Sequence, residues 1–147
     1  CGGIANGKKL KACIPGGSSV PILPANLLLT TAKGEPRLMN YESLSDGGFA
    51  TGSMMGSGGF IVLDEDQCIV KHTLTLARFY RHESCGQCTP CRVGTSKAAQ
   101  LMQVPKWDQS TLEDLSTVMV DASICGLGQA APNPIRCVTK YFPQEIA

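Results

Sequence analysis

The chain has 147 residues, close to the ~150 of one ordinary domain, so a function that needs several large domains must be completed by other chains. Lys and Arg number 13 against 12 Asp and Glu, and a formal charge of +1 without a clustered basic excess excludes nucleic acid as the partner. A hydrophobic fraction of 43% excludes disorder as the main state. The longest apolar run, residues 20–29, is broken by Pro21, Pro24 and Asn26, far short of the ~18 residues of a membrane helix, so a soluble, cytoplasmic chain without direct membrane insertion is expected.

Cys1 stands where a Met would start, with neither a charged n-region nor an apolar h-region behind it, so a segment upstream is expected. The alternative is a mature lipoprotein lipidated on Cys1, with extracellular disulfides.

Twelve of the 16 glycines precede residue 60, together with Pro15, Pro21, Pro24 and Pro36, and the composition changes near Asp64. Two small units follow, a β-rich front and a helical back. Residues 8–14 alternate weakly and end at the turn signal Pro15-Gly16-Gly17, and residues 60–63 form a short apolar run entered through Gly58-Gly59; both read as strands of a small sheet. The glycine-rich stretch 47–59 could cradle a phosphate, but it lacks the Walker lysine and the strand, G-x-G-x-x-G, helix order, which favours a structural loop.

In the back, residues 68–82 place Ile69, Val70, Thr73, Leu74, Ala77 and Tyr80 on one helical face, with Asp64 and Gln67 offering a cap. Thr89-Pro90 reads as an N-cap followed by Pro at the first helical position, opening a second helix toward Gln103 that ends before Pro105. Ser110 and Glu113 form a capping box for a third helix with the stripe Leu112, Leu115, Val118, Met119 and Ala122. Asn133-Pro134 starts a fourth, whose face Pro134, Cys137, Val138 and Tyr141 closes before Pro143. Four helices on short connections predict a small bundle behind the sheet, an α+β fold.

The eight cysteines are Cys1, Cys13, Cys68, Cys85, Cys88, Cys91, Cys125 and Cys137. An even number permits a disulfide scaffold, but three of them fall within the segment 84–92, SCGQCTPCR, and clustered thiols without a secretory signal read as metal ligands. Zinc usually takes two separated C-x2-C pairs. Two overlapping C-x2-C spacings plus one remote cysteine fit a [4Fe-4S] cubane better, held by Cys85, Cys88 and Cys91. For the fourth ligand, Cys125 lies between a helix end and the open loop Gly126-Leu127-Gly128, whereas Cys137 shares an interior helical face; Cys125 is therefore chosen. Cys1, Cys13 and Cys68 read as structural, since Cys is often buried.

Such a cluster is a net anion, and the start of the second helix offers orphan amides and the positive dipole end. Arg92 adds charge compensation or is simply an exposed helix-start residue, and His82 reads as a solvated helix-end residue rather than a ligand. With four protein ligands there is no open position for a substrate, and no nucleophile with a base and no carboxylate pair is in sight, so no catalytic residue is assigned.

RFYRHESCGQCTPCRVG with ASICGLGQAAPNP resembles the NADH-binding flavoprotein subunit shared by respiratory complex I, NAD-reducing hydrogenases and NAD-dependent formate dehydrogenases. KLKACIPGGSSVPILP, YESL and GSMMGSGGFIVLDE resemble its soluble-ligand-binding β-grasp (SLBB) domain, so the resemblance covers essentially the whole chain. It implies an SLBB domain over residues 1–64 and a helical [4Fe-4S]-binding domain over residues 65–147, with Cys85, Cys88, Cys91 and Cys125 as ligands. FMN and NAD(H) are implied for a preceding domain, so this stretch alone would bind neither and would not be catalytic. The partners implied are the other subunits of a redox complex, a [2Fe-2S] subunit and a catalytic subunit with further clusters. The 33 residues between Cys91 and Cys125 are fewer than in respiratory members, with the shortening around residues 104–109. The tail ASICGLGQAAPNP and KYFPQE resembles formate dehydrogenase and hydrogenase members more, and formate dehydrogenase is favoured. Rival readings are the same relay in an NADH:quinone oxidoreductase or hydrogenase and, from another class, a zinc-stabilised interaction module.

Overall fold

The computed structural model describes residues 2–25 and 53–146, and the chain divides into two compact units, Cys1–Gln67 and Cys68–Ala147. In the first unit β1 (Leu10–Ile14) is the middle strand, flanked by β2 (Leu23–Pro24) and β3 (Ile61–Asp64). Both pairings are antiparallel: Cys13 faces Leu23 on one side and Val62 on the other. A bulge between Leu10 and Ala12 shifts the register toward Asp64, so the exposed start of β1 leads into three buried residues, Ala12, Cys13 and Ile14. Burial of such apolar side chains stabilises by roughly 25 cal/mol per Å² removed from water.

The two expected strands are present, and β2 is an addition inside the proline-broken run, short because Pro24 has no N–H to extend a ladder. Part of the glycine-rich stretch 47–59 lies outside the described residues, as does the YESL segment. Its described end packs on this unit's own turn: Ser57 N–H donates to Gly16 O at 2.9 Å and Gly17 N–H to Gly59 O at 2.7 Å. Those amides serve the fold, in keeping with the loop reading. The exit from β3 is tied down by Lys8, whose ammonium reaches Asp64 at 3.2 Å and Asp66 at 2.8 Å.

The second unit contains α1 (Ile69–Glu83), α2 (Thr89–Leu101), α3 (Gln109–Ala122), the short α4 (Gly126–Ala130) and α5 (Asn133–Tyr141). Tyr80 of α1, Met119 of α3 and Ala131 after α4 form its apolar centre, with Leu115 and Leu127 against it. Three hydroxyl residues are buried inside these helices. Thr73, Thr95 and Ser116 each donate to the carbonyl four residues back, at 2.8, 2.8 and 2.6 Å, which satisfies the hydroxyl within its own helix.

Several local expectations are corrected. The N-cap of α2 is Cys88, with extended backbone and Thr89 already helical. The N-cap of α3 is Asp108, whose carboxylate accepts from Thr111 N–H, in place of the Ser110 box. Asp and Ser cap comparably, but the negative carboxylate is also favoured at the positive end of the helix, and the helix begins earlier. Asp64 and Gln67 do not cap α1; Glu145 accepts from Ile69 N–H at 3.3 Å. Its buried face runs through Leu76 rather than Val70 and Leu74. The stripe of α3 is narrower than expected, with Val118 and Ala122 outside it. The loop 126–128 is the helix α4, so the helix expected fourth is the fifth described.

Candidate metal centre

The connection between α1 and α2 carries the first two cysteines. Ser84 ends α1, its N–H donating to Tyr80 O at 3.1 Å. Gly86 then turns the chain back with φ +77°, in the left-handed region that a side chain resists. Arg92 fastens this turn, its guanidinium donating to Gly86 O at 2.6 Å. That bond adds a positioning role for Arg92 to the charge compensation or plain exposure expected of it.

Cys88 caps α2 and Cys91 lies in its first turn, while Cys125 caps α4. Cys85, Cys88, Cys91 and Cys125 line one cavity of about 100 Å³. Cys91 is its floor, 4% exposed; Cys88 is half-buried, and Cys85 and Cys125 are exposed at the rim. Glu83, Ser84, Gln87 and Leu127 complete the wall.

Close approach of α4 to α2 depends on Gly128. A β-carbon there would collide with the Ser123 side chain and stand 2.9 Å from Cys91 Cβ. Gln129 ties the two ends of the Cys125 turn, donating from Nε2 to Ser123 O at 3.0 Å.

The electrostatics separate the sulfurs. The Cys88 thiol is shifted down, first by the backbone N–H of Ile124, then by that of Cys91, both directed at its sulfur. Burial pushes the Cys91 thiol up, the Ser84 hydroxyl opposes this, and the sulfurs of Cys88, Cys125 and Cys85 push it further up. Four thiolates around one cavity therefore repel one another until a cationic metal core compensates them.

The remaining candidates stand apart from this wall. Cys137 is buried in α5 and Cys13 in the front sheet, as structural cysteines. Cys68 is exposed at the start of α1, which corrects its reading as a buried residue, and Cys1 lies outside the described residues. The His82 side chain is 86% exposed beside Glu83, as expected of a helix-end residue. Sequence reasoning passed over Ser84, whose position next to Cys85 at a helix end was the available signal, and the Ile124 amide, for which there was none.

The donor set is soft, all-sulfur and four-membered, which suits zinc or an iron–sulfur cluster. Among the described residues, no three Cys, His, Asp or Glu side chains gather tightly enough for a single metal ion. The geometry thus defines a four-thiol class of metal centre on an α+β chain.

Residues 71–147 match the family described as the NADH-ubiquinone oxidoreductase-F iron-sulfur binding region. The chain belongs to that family, whose cofactor is a [4Fe-4S] cluster. It is 43% identical over 152 residues to an NADH-quinone oxidoreductase subunit of Rickettsia bellii, covering 99% of this chain and 34% of that protein. It is 37% identical over 153 residues to the mitochondrial NADH-ubiquinone oxidoreductase 51 kDa subunit of Neurospora crassa, covering 99% of this chain and 29% of that protein. Among solved structures, an NAD+-reducing [NiFe]-hydrogenase in the H2-reduced state matches with a TM-score of 0.73 and 31% identity, over 93% of this chain and 22% of that one. The chain spans about a third of the length of the curated relatives it matches.

Proposed function

We propose that Cys85, Cys88, Cys91 and Cys125 hold one [4Fe-4S] cluster and that the chain relays single electrons within an NADH-linked oxidoreductase. The observation that carries this reading is the meeting of these four sulfurs, from three separate helix ends, around one cavity. A cubane with four thiolate ligands supplies one-electron transfer and leaves no coordination position for a metabolite. Around it the chain's residues divide the work. Ile124 and Cys91 amides stabilise the Cys88 thiolate, Arg92 holds the Gly86 turn, and α2 with α4 encloses Cys91.

In this family FMN and NADH binding belong to the part that precedes the cluster region. The chain then exchanges electrons with reduced flavin there and with further clusters of partner subunits, in a soluble or membrane-associated complex of the cytoplasm. Among the described residues no helix is long and apolar enough to cross a membrane. The relatives named above are a quinone oxidoreductase and a hydrogenase, which favours those settings over the formate dehydrogenase suggested by the tail. We also read residues 1–64 as a β-grasp domain and residues 65–147 as the cluster domain.

Anaerobic reconstitution of the full chain tests the reading. It should yield about four irons and four sulfides per chain and an EPR signal on reduction. A colourless product that keeps zinc and shows no redox response would point to the zinc-stabilised module.

A further inference from the structure

The Ser84 hydroxyl lies 3.3 Å from Cys91 Sγ, and the Gly86 N–H donates to the same hydroxyl oxygen at 3.3 Å. By distance alone either Ser84 or Cys91 could be the donor. Chemistry decides it. A thiolate bound to iron has no proton to give, and the Gly86 amide already occupies an acceptor position on the oxygen, so the hydroxyl proton points at the sulfur. The arrangement is held in place from both sides. Ser84 is anchored by its own N–H on Tyr80 O at 3.1 Å, and Gly86 by Arg92 at 2.6 Å. The sulfur addressed is the most deeply buried of the four, where water competes least and a hydrogen bond counts most.

We propose that Ser84 is a positioning residue that sets the reduction potential of the cluster, through a hydroxyl proton aimed at Cys91 Sγ. The inference rests on the ligand reading given under Proposed function. Reduction adds one electron and transfers no proton, so the sulfurs become more electron-rich. A hydrogen bond to sulfur then strengthens, favours the reduced form and raises the potential. Neither the three cysteine spacings nor Gly86 alone would supply this donor.

The test is an EPR-monitored titration of the reconstituted full chain with dithionite as reductant, comparing the unaltered chain with Ser84→Ala and Ser84→Thr. Ser84→Ala should keep its iron and shift the oxidised-to-reduced ratio at fixed potential toward oxidised by about five- to tenfold, tenfold being 59 mV for one electron. Ser84→Thr, which keeps the hydroxyl, should restore the original midpoint. An iron-replete Ser84→Ala with an unchanged midpoint overturns the proposal. So does loss of iron from Ser84→Ala but not from Ser84→Thr, because the hydroxyl would then serve assembly instead. If the unaltered chain takes up no iron at all, the ligand reading fails first, and this proposal falls with it.

Discussion

At the scale of single residues, the centre is a contrast between cysteines that line the cavity and one that does not. Cys125 stands at the rim and Cys137 is buried in α5. Cys125→Ser should therefore abolish or convert the cluster, while Cys137→Ser should leave iron content and EPR line shape as they were; the opposite result would exchange their roles. Gly128 makes a steric prediction. A methyl group there must displace the Ser123 side chain or separate α4 from Cys91, so Gly128→Ala should cost about 1–3 kcal/mol, as overpacking does, and lower iron occupancy. Thermal unfolding and iron analysis of the same preparation read both effects together.

At the scale of elements, Met119 joins α3 to the packing of α1 and α4, and it is 1% exposed. Met119→Ala should destabilise the helical unit by about 2–5 kcal/mol, measured by denaturant unfolding of the holoprotein. The start of α3 responds to acid. Asp108 is shifted below the usual carboxylate range, first by the Thr111 hydroxyl and then by its N–H. Its folded value lies below its unfolded one, so its contribution is complete above the unfolded value and is lost as the pH falls through the folded value. Unfolding temperatures between pH 6 and 3 should fall less steeply for Asp108→Asn, which keeps an N-cap acceptor but cannot ionise. These elements also mark where the sequence could be read. Periodicity and proline placement locate α1, α2, α3 and α5, and cysteine spacing locates the cavity wall. What escaped depends on partners distant in the chain or on competition between neighbours. Glu145 is far from α1 in sequence, Asp108 outcompetes Ser110 for the cap, and buried Thr73, Thr95 and Ser116 look polar until their intrahelical hydrogen bonds are seen. The helix α4 has two glycines among its five residues, a composition that reads as a loop; it is held as a helix by packing around Gly128 rather than by propensity.

At the scale of the whole molecule, the proposed ligand set would couple metal to fold in one unit and not in the other. The four proposed ligands belong to the unit Cys68–Ala147, and β1, β2 and β3 to the unit Cys1–Gln67. Stripping iron with a chelator should therefore abolish amide protection around residues 84–95 and 123–131, while β1 and β3 keep theirs in the same hydrogen-exchange experiment. Equal loss in both units would argue against that separation. The exposure of Cys85 and Cys125 at the rim also sets a deadline for maturation. Before iron arrives, two accessible thiols face the solvent at the mouth of a pocket, where peroxide can convert them to sulfenic acids. Oxidant and iron thus compete for the same two sulfurs, and a chain left bare in air should lose its capacity to be metallated.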